Sequence, residues 1–189
     1  MLSANQAQRG CAVTNREARW RHAGGGFFDL DGLRIPASEG VRLLPVVDGK
    51  SGTVVAVTTV RGRTAIQLQA FHVSAGRPWD SVRLELLARI RRDGGTAEEV
   101  IGPSGPRIQA RVPVVTPGGE QKVMDVRFVG RDGPGWLLRG TVSGAGAAPG
   151  SAEAWSCQVF DETAVKSTAL IAPDSLAMEL QWPPVEATN

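Results

Sequence analysis

Chemistry in this chain has few residue types to rest on. There are two histidines, His22 and His72, two cysteines, Cys11 and Cys157, and no tyrosine. Neither a C-x2-C nor an H-x3-H spacing occurs, so no zinc-ligand pattern is present and no metal site is expected. His72 shares a strand face with Ile66, which reads as a core position near a strand end. Glu98 and Glu99 are adjacent, so on a helix they point in different directions and do not form an acid–base pair. No Gly-x-Ser-x-Gly elbow exists, and Ser104, between Pro103 and Gly105, has no base evident nearby. Gly49-Lys50-Ser51 has the ending of a phosphate-binding loop, but position 44 is Leu44 where that motif needs glycine, and the segment leads into a strand. The run Gly144 to Gly150 lies between a strand and a helix, yet its third glycine comes one residue late and the preceding strands look antiparallel. No catalytic residue, cofactor or metal is assigned. The polar residues left as a candidate surface are Arg131, Asp132 and Arg139.

The elements that must position these groups are legible as hydrophobic patterns. Phe27 to Pro36 reads as a strand ended by Pro36, which has no N–H for a ladder. Val41 to Val47 is a second strand, followed by a turn at Asp48 to Gly52. Thr53 to Val60 and Thr64 to Val73 flank Arg61-Gly62 as a hairpin. Ile66, Leu68 and Ala70 form its buried face, with Gln67, Gln69 and Phe71 on the wetter one. Pro78 to Arg92 is a helix: Pro78 suits the first turn, Trp79, Val82, Leu86 and Ile90 make the buried stripe, and Leu84 and Leu87 broaden it. Asp80 near its start and Arg89, Arg91 and Arg92 near its end complement the helix dipole, and Gly94-Gly95 stops it. Thr96 to Glu99 matches a capping box and predicts one or two further helical turns. Ile108 to Val115, Val123 to Val129 and Trp136 to Val142 alternate as strands. Arg131 to Gly135 is the expected hairpin turn, with Gly133 at positive φ and Asp132 bonded to its own backbone. Ser151 to Asp161 is a second helix with Ala152, Trp155 and Val159 on one side. Val165 to Ile171 and Leu176 to Trp182 close the chain as strands. This order predicts an α+β fold, a mainly antiparallel sheet with two principal helices.

At 189 residues with 42% hydrophobic composition, the chain can bury a core without disulfides. The 21 basic and 19 acidic residues give a net +2, which argues against a strongly basic nucleic-acid binder. Lysine occurs only at Lys50, Lys122 and Lys166, so arginine dominates the basic residues; this suits phosphate recognition, and a GC-rich genome explains it equally. The domain expectation is a disordered basic tail over 1–26, a single α+β domain over 27–183 and a flexible C-terminus over 184–189. No apolar run is long enough to span a membrane and no secretory signal opens the chain, so a cytoplasmic location is expected.

Three stretches carry a family resemblance. They are Asp29-Leu30-Asp31-Gly32-Leu33-Arg34-Ile35-Pro36, Gly102-Pro103-Ser104-Gly105-Pro106 running into Ala110-Arg111-Val112-Pro113, and Arg127-Phe128-Val129-Gly130-Arg131-Asp132-Gly133-Pro134-Gly135-Trp136-Leu137-Leu138-Arg139-Gly140. Together with Trp79-Asp80-Ser81-Val82-Arg83, they resemble the domain of unknown function 3710 family of actinobacterial proteins, over about Asp29 to Leu180. The resemblance implies no activity, cofactor or substrate. The chain departs from the family pattern at Gly135, Ser104 and Arg107, where arginine, an aromatic and an acid are usual. It also lacks the usual arginine-containing segment between Lys166 and Pro183. If those positions form a site in the family, this copy has diverged from it. The element order also resembles the Mog1/PsbP-type fold, a scaffold used largely for protein binding.

The expectation that follows is a non-catalytic protein-binding domain, with no membrane partner. The alternative is a small-molecule or nucleotide-phosphate binder, or an enzyme, using the Asp132-Gly133 turn, Arg139 and the loop at Gly144. Nucleic-acid binding through the tail arginines is a third reading.

Overall fold

In a computed structural model, the described residues are 12–13, 26–73, 78–116, 118–151, 154–166 and 177–182. Eleven strands and two helices follow in the order β1 (Ala12–Val13), β2 (Phe27–Asp29), β3 (Leu33–Pro36), β4 (Arg42–Val47), β5 (Val54–Arg61), β6 (Thr64–His72), α1 (Pro78–Arg92), β7 (Thr96–Gly102), β8 (Gly105–Val115), β9 (Gln121–Gly133), β10 (Trp136–Gly144), α2 (Ala154–Glu162) and β11 (Ala164–Val165). A single 3-10 turn, Ala145–Ala147, lies between β10 and α2. Eight strands form one sheet in the order β1-β4-β5-β6-β10-β9-β8-β7, and β11-β3-β2 form a small second sheet. Every strand pair is antiparallel, so the molecule is mixed α and β with mostly antiparallel sheet.

The large sheet buries both faces, and strand alternation divides its side chains between them. On one face Leu43, Val57, Ile66, Leu68, Leu138 and Val142 pack against α2 and the small sheet. Phe160 of α2 and Leu30, Leu33 and Ile35 beside it are at most 1% exposed, each worth about 1.5–3 kcal/mol of transfer free energy. On the other face Phe71, Ile108, Ala110 and Leu137 receive Trp79, Leu86, Leu87 and Ile90 of α1. Phe71, expected on the wetter face of β6, is thus buried beneath α1. Leu84, expected to broaden the stripe, is 63% exposed, and Arg83 occupies the buried angle instead.

Helix α1 keeps its predicted bounds because both ends are fixed. At its C-terminus Gly94 has φ 83°. Its N–H donates to the Arg91 carbonyl at 3.2 Å and the Gly95 N–H to the Ile90 carbonyl at 2.9 Å, the paired bonds of a Schellman cap.

Four expectations are corrected. Thr96–Glu99 does not open a helix: the segment is the start of β7, paired with β8 from Thr96↔Arg111 to Gly102↔Gly105. The capping-box pattern is local, and a seven-residue ladder outweighs it. Phe27–Pro36 is a hairpin rather than one strand, because Asp31 adopts φ 66° and reverses the chain. At the β9–β10 hairpin the positive φ belongs to Gly135, at 75°, and not to Gly133. Gly133 remains paired with Trp136 and belongs to the ladder. Finally, Asp132 bonds to α1 rather than to its own backbone. The closing strands are short among the described residues, with Ala177 and Leu180 making isolated bridges to Phe71 and Val54. The expected tail overlaps one described element, β1, whose Ala12 and Val13 pair with Val47 and Val46; most of 1–26, and 184–189, lie outside the described residues.

Candidate functional site

Arg131 and Asp132 are neighbours in β9, so their side chains leave opposite faces of the sheet. Arg131 reaches the C-terminal end of α2. Its guanidinium donates to the Asp161 carbonyl at 2.8 Å and to the Thr163 carbonyl, and stands 5.7 Å from the Phe160 ring centroid and 5.9 Å from that of Trp136. This is a cation on a helix C-terminus, with the favourable sign for the dipole. Asp132 accepts from the Trp79 N–H at 3.0 Å, placing a carboxylate on the N-terminus of α1. Arg139 shares the α1 face. It donates to the Gln69 side-chain oxygen at 2.6 Å and lies 5.0 Å over the Phe71 ring. Burial pulls its guanidinium down to about 10. The three candidates do not converge: two hold helix ends on opposite faces and the third is packed between β6 and β10.

The glycine loop of the alternative reading is equally structural. Gly144 has φ 76°, and a Cβ there would meet the Arg63 carbonyl oxygen at 2.1 Å. The Ala145 N–H donates to that same carbonyl at 3.0 Å. Glycine at 144 lets β10 close onto the β5–β6 turn. Ser104, in the β7–β8 turn, donates to the Asp161 carboxylate at 2.6 Å and ties that turn to α2.

Sequence reasoning missed the pocket next to this tie. It lies between the turn at Pro103 to Pro106, strands β8 to β10 and one side of α2. Arg107 and Arg127 enter it from the sheet, Ser156 and Cys157 from the helix, and Val129, Val142 and Phe160 supply an apolar lining. Arg127 is only 3% exposed. Its oxygen acceptors are the Gln109 side chain at 3.3 Å and the Ala148 carbonyl at 3.4 Å, both long for N–H···O bonds, and the Cys157 sulfur is a further side-chain partner. Burial, followed by the nearby Arg107 charge, lowers its pKa. The Arg107 Nε and the Ser156 hydroxyl are buried without a hydrogen-bond partner. Cys157 is a free, half-buried thiol. One signal for this site was present: Arg107, Gln109 and Arg127 are polar residues on strand positions that alternate with buried apolar ones.

Two further surfaces lie outside the pocket. Strand β7 ends the large sheet, with no described strand beyond it. Arg91 donates to the Ala97 carbonyl at 2.9 Å, and antiparallel alternation then directs the backbone groups of Glu99 and Ile101 outward as well. Ile101 is 77% exposed, and Val115, Val123 and Met124 are exposed on the β8–β9 hairpin. Beneath β7, Glu99 accepts from Arg83 Nε at 2.5 Å and Asp80 from Arg83 Nη1 at 2.8 Å. Burial opposes the Arg83 charge, and these two carboxylates outweigh it and raise its pKa. Among the described residues no three His, Cys, Asp or Glu side chains cluster as a metal site, and no helix is long and apolar enough to cross a membrane.

The molecule is therefore an α+β protein with a long antiparallel sheet, one helix on each face and an arginine-lined pocket under the second. Residues 14–188 match the family described as protein of unknown function (DUF3710), and the chain belongs to that family. No curated protein and no solved structure matches the chain.

Proposed function

We propose that this is a non-catalytic protein-binding domain that receives an extended segment of a partner along β7. The observation that carries the reading is the edge of β7, beyond which no described strand lies and where outward backbone groups at Glu99 and Ile101 lie beside an exposed Ile101 side chain. A free strand edge supplies main-chain donors and acceptors to an added strand, and alternate side chains supply selectivity. Apolar Val115, Val123 and Met124 are exposed on the β8–β9 hairpin, beyond the Thr96 end of β7. Supporting the non-catalytic part, Arg131 and Asp132 are engaged as helix caps. The element order also resembles the Mog1/PsbP-type scaffold, and a cytoplasmic location belongs to the same reading.

The test uses Ile101→Pro. Proline removes one outward N–H and blocks strand addition, while an edge position tolerates it. Tagged parent and variant are incubated with host extract and retained proteins compared. The reading expects a protein retained by the parent and lost from the variant at unchanged circular dichroism. Equal retention by both overturns it.

A further inference from the structure

We propose that the pocket between the β7–β8 turn and α2 is a binding site for a small oxyanion, phosphate or the phosphoryl end of a larger ligand, held by Arg107, Arg127 and Ser156. It is independent of the β7 edge and of the protein-binding reading.

The argument begins with unbalanced charge. Among the described residues neither the half-buried Arg107 nor the buried Arg127 is paired with a carboxylate, Arg127 having only the Cys157 sulfur as a favourable electrostatic neighbour, whereas Arg83, the other buried arginine besides Arg127, holds two carboxylates. Two cations brought together against an apolar wall repel one another, and a buried guanidinium without a carboxylate partner is costly. An anion between them removes both penalties. Satisfaction of the buried hydroxyl and amide side chains points the same way. Thr59, Thr64, Thr163 and Gln109 each have a hydrogen-bond partner, whereas the Ser156 hydroxyl, in a residue with no exposed surface, has none. A hydroxyl and an arginine Nε left open on the same pocket are donors awaiting an acceptor.

Geometry and field fit an oxyanion. Ser156 lies in the first turn of α2, at the positive end of the helix dipole. Guanidinium groups offer planar, forked donors that suit phosphate oxygens. The apolar lining from Val129, Val142 and Phe160 lowers the local dielectric and strengthens the attraction. The enclosed space takes about one water-sized atom, so one oxygen is enclosed and the remainder of the anion lies at the mouth. This favours a terminal phosphoryl group over a bulky buried ligand.

The experiment titrates the full chain with inorganic phosphate, at constant ionic strength in chloride, by calorimetry and thermal unfolding. Arg107→Gln, Arg127→Gln and Ser156→Ala are compared with Arg111→Gln, which removes a charge from the same strand outside the pocket. Circular dichroism confirms that each variant folds. The proposal expects saturable one-to-one binding and a rise in unfolding midpoint. Either pocket arginine variant loses at least tenfold in affinity, Ser156→Ala a few-fold, and Arg111→Gln little. If Arg127→Gln does not fold, Ser156→Ala and Arg107→Gln still decide the matter. Phosphoserine and adenosine monophosphate serve as competitors. Displacement by either identifies a phosphoryl-bearing ligand, and displacement by neither identifies free phosphate, both supporting the site. Absence of saturable binding, or an equal loss in Arg111→Gln, overturns it.

Discussion

The carboxylate of Asp132 accepts a hydrogen bond at 3.0 Å from the backbone N–H of Trp79, a residue 53 positions earlier in the chain. The cap of α1 is thus supplied by a strand on the sheet beneath the helix. Two more contacts hold the same corner: the Trp79 indole donates to the Pro106 carbonyl at 2.8 Å, and its ring covers Gly130, where a Cβ would lie 2.1 Å from it.

Asp132→Ala should therefore destabilise the protein by about 1 kcal/mol, the usual cost of losing a helix cap. Asp132→Asn keeps an oxygen acceptor and gives up only the charge–dipole part, ~0.3–1 kcal/mol. Urea unfolding of the three proteins checks the ranking. An alanine variant as stable as the parent would show that the cap does not matter.

The β9–β10 hairpin makes a second ranking. A Cβ on Gly133 would sit 2.0 Å from the Trp136 ring, so Gly133→Ala must displace a packed indole, at roughly 1–3 kcal/mol. Gly135→Ala meets no such ring but places alanine at φ 75°, costing about 1–2 kcal/mol. Near-ultraviolet circular dichroism separates the causes: the tryptophan signal should change in Gly133→Ala and persist in Gly135→Ala.

Glu98 and Glu99 are adjacent yet should respond differently to alanine. Glu99 is a partner of the buried Arg83, and its loss leaves part of that guanidinium unpaired, costing about 1–3 kcal/mol. Glu98 faces away and is exposed, and its replacement should fall within about 0.5 kcal/mol. Chemical denaturation of both variants reads the difference. Equal effects would contradict the Arg83 contact.

Acid sensitivity should have a local origin at two turns. The Ser51 N–H and then the Lys50 N–H hold Asp48 below its ordinary 3.8. The Lys166 ammonium, followed by the Asp31 N–H, does the same for Asp29. A carboxyl depressed on folding adds stability that is fully present above the unfolded value and lost as pH falls through the folded one. The acid limb should consequently lie below about pH 4, and Asp48→Asn should flatten it. An unchanged slope of stability against pH between 4 and 2 would refute this.

Much of the fold was legible because its signals are local. Helix α1 runs from Pro78 to Arg92 as read, since proline at its start and the diglycine at its end act through their own backbones. Thr96 to Glu99 was misread because its capping pattern is also local, while the pairing with Arg111 and its neighbours is not. The role of Asp132 was illegible for the same reason: its partner is distant in sequence. Arg83 was more accessible, since Trp79, Arg83, Leu86 and Ile90 share one helical face and a buried arginine in that stripe demands acidic partners at its rim. The pocket was the least visible. Arg127 alternates with Val126 and Phe128 like a solvent-facing strand residue, and the packing of α2 and the loop before it against β9 buries it.

The adjacent pair Arg131 and Asp132 also checks strand alignment. In the native pairing the base meets the C-terminal end of α2 and the acid the N-terminal end of α1. A slip of β9 by one residue would exchange the two faces. The arginine would then meet the positive end of one helix and the aspartate the negative end of the other, so two favourable contacts would become two repulsions. The misaligned chain is penalised on both sides of the sheet at once. Proofreading of the longest strand is thereby written into two consecutive residues of opposite charge.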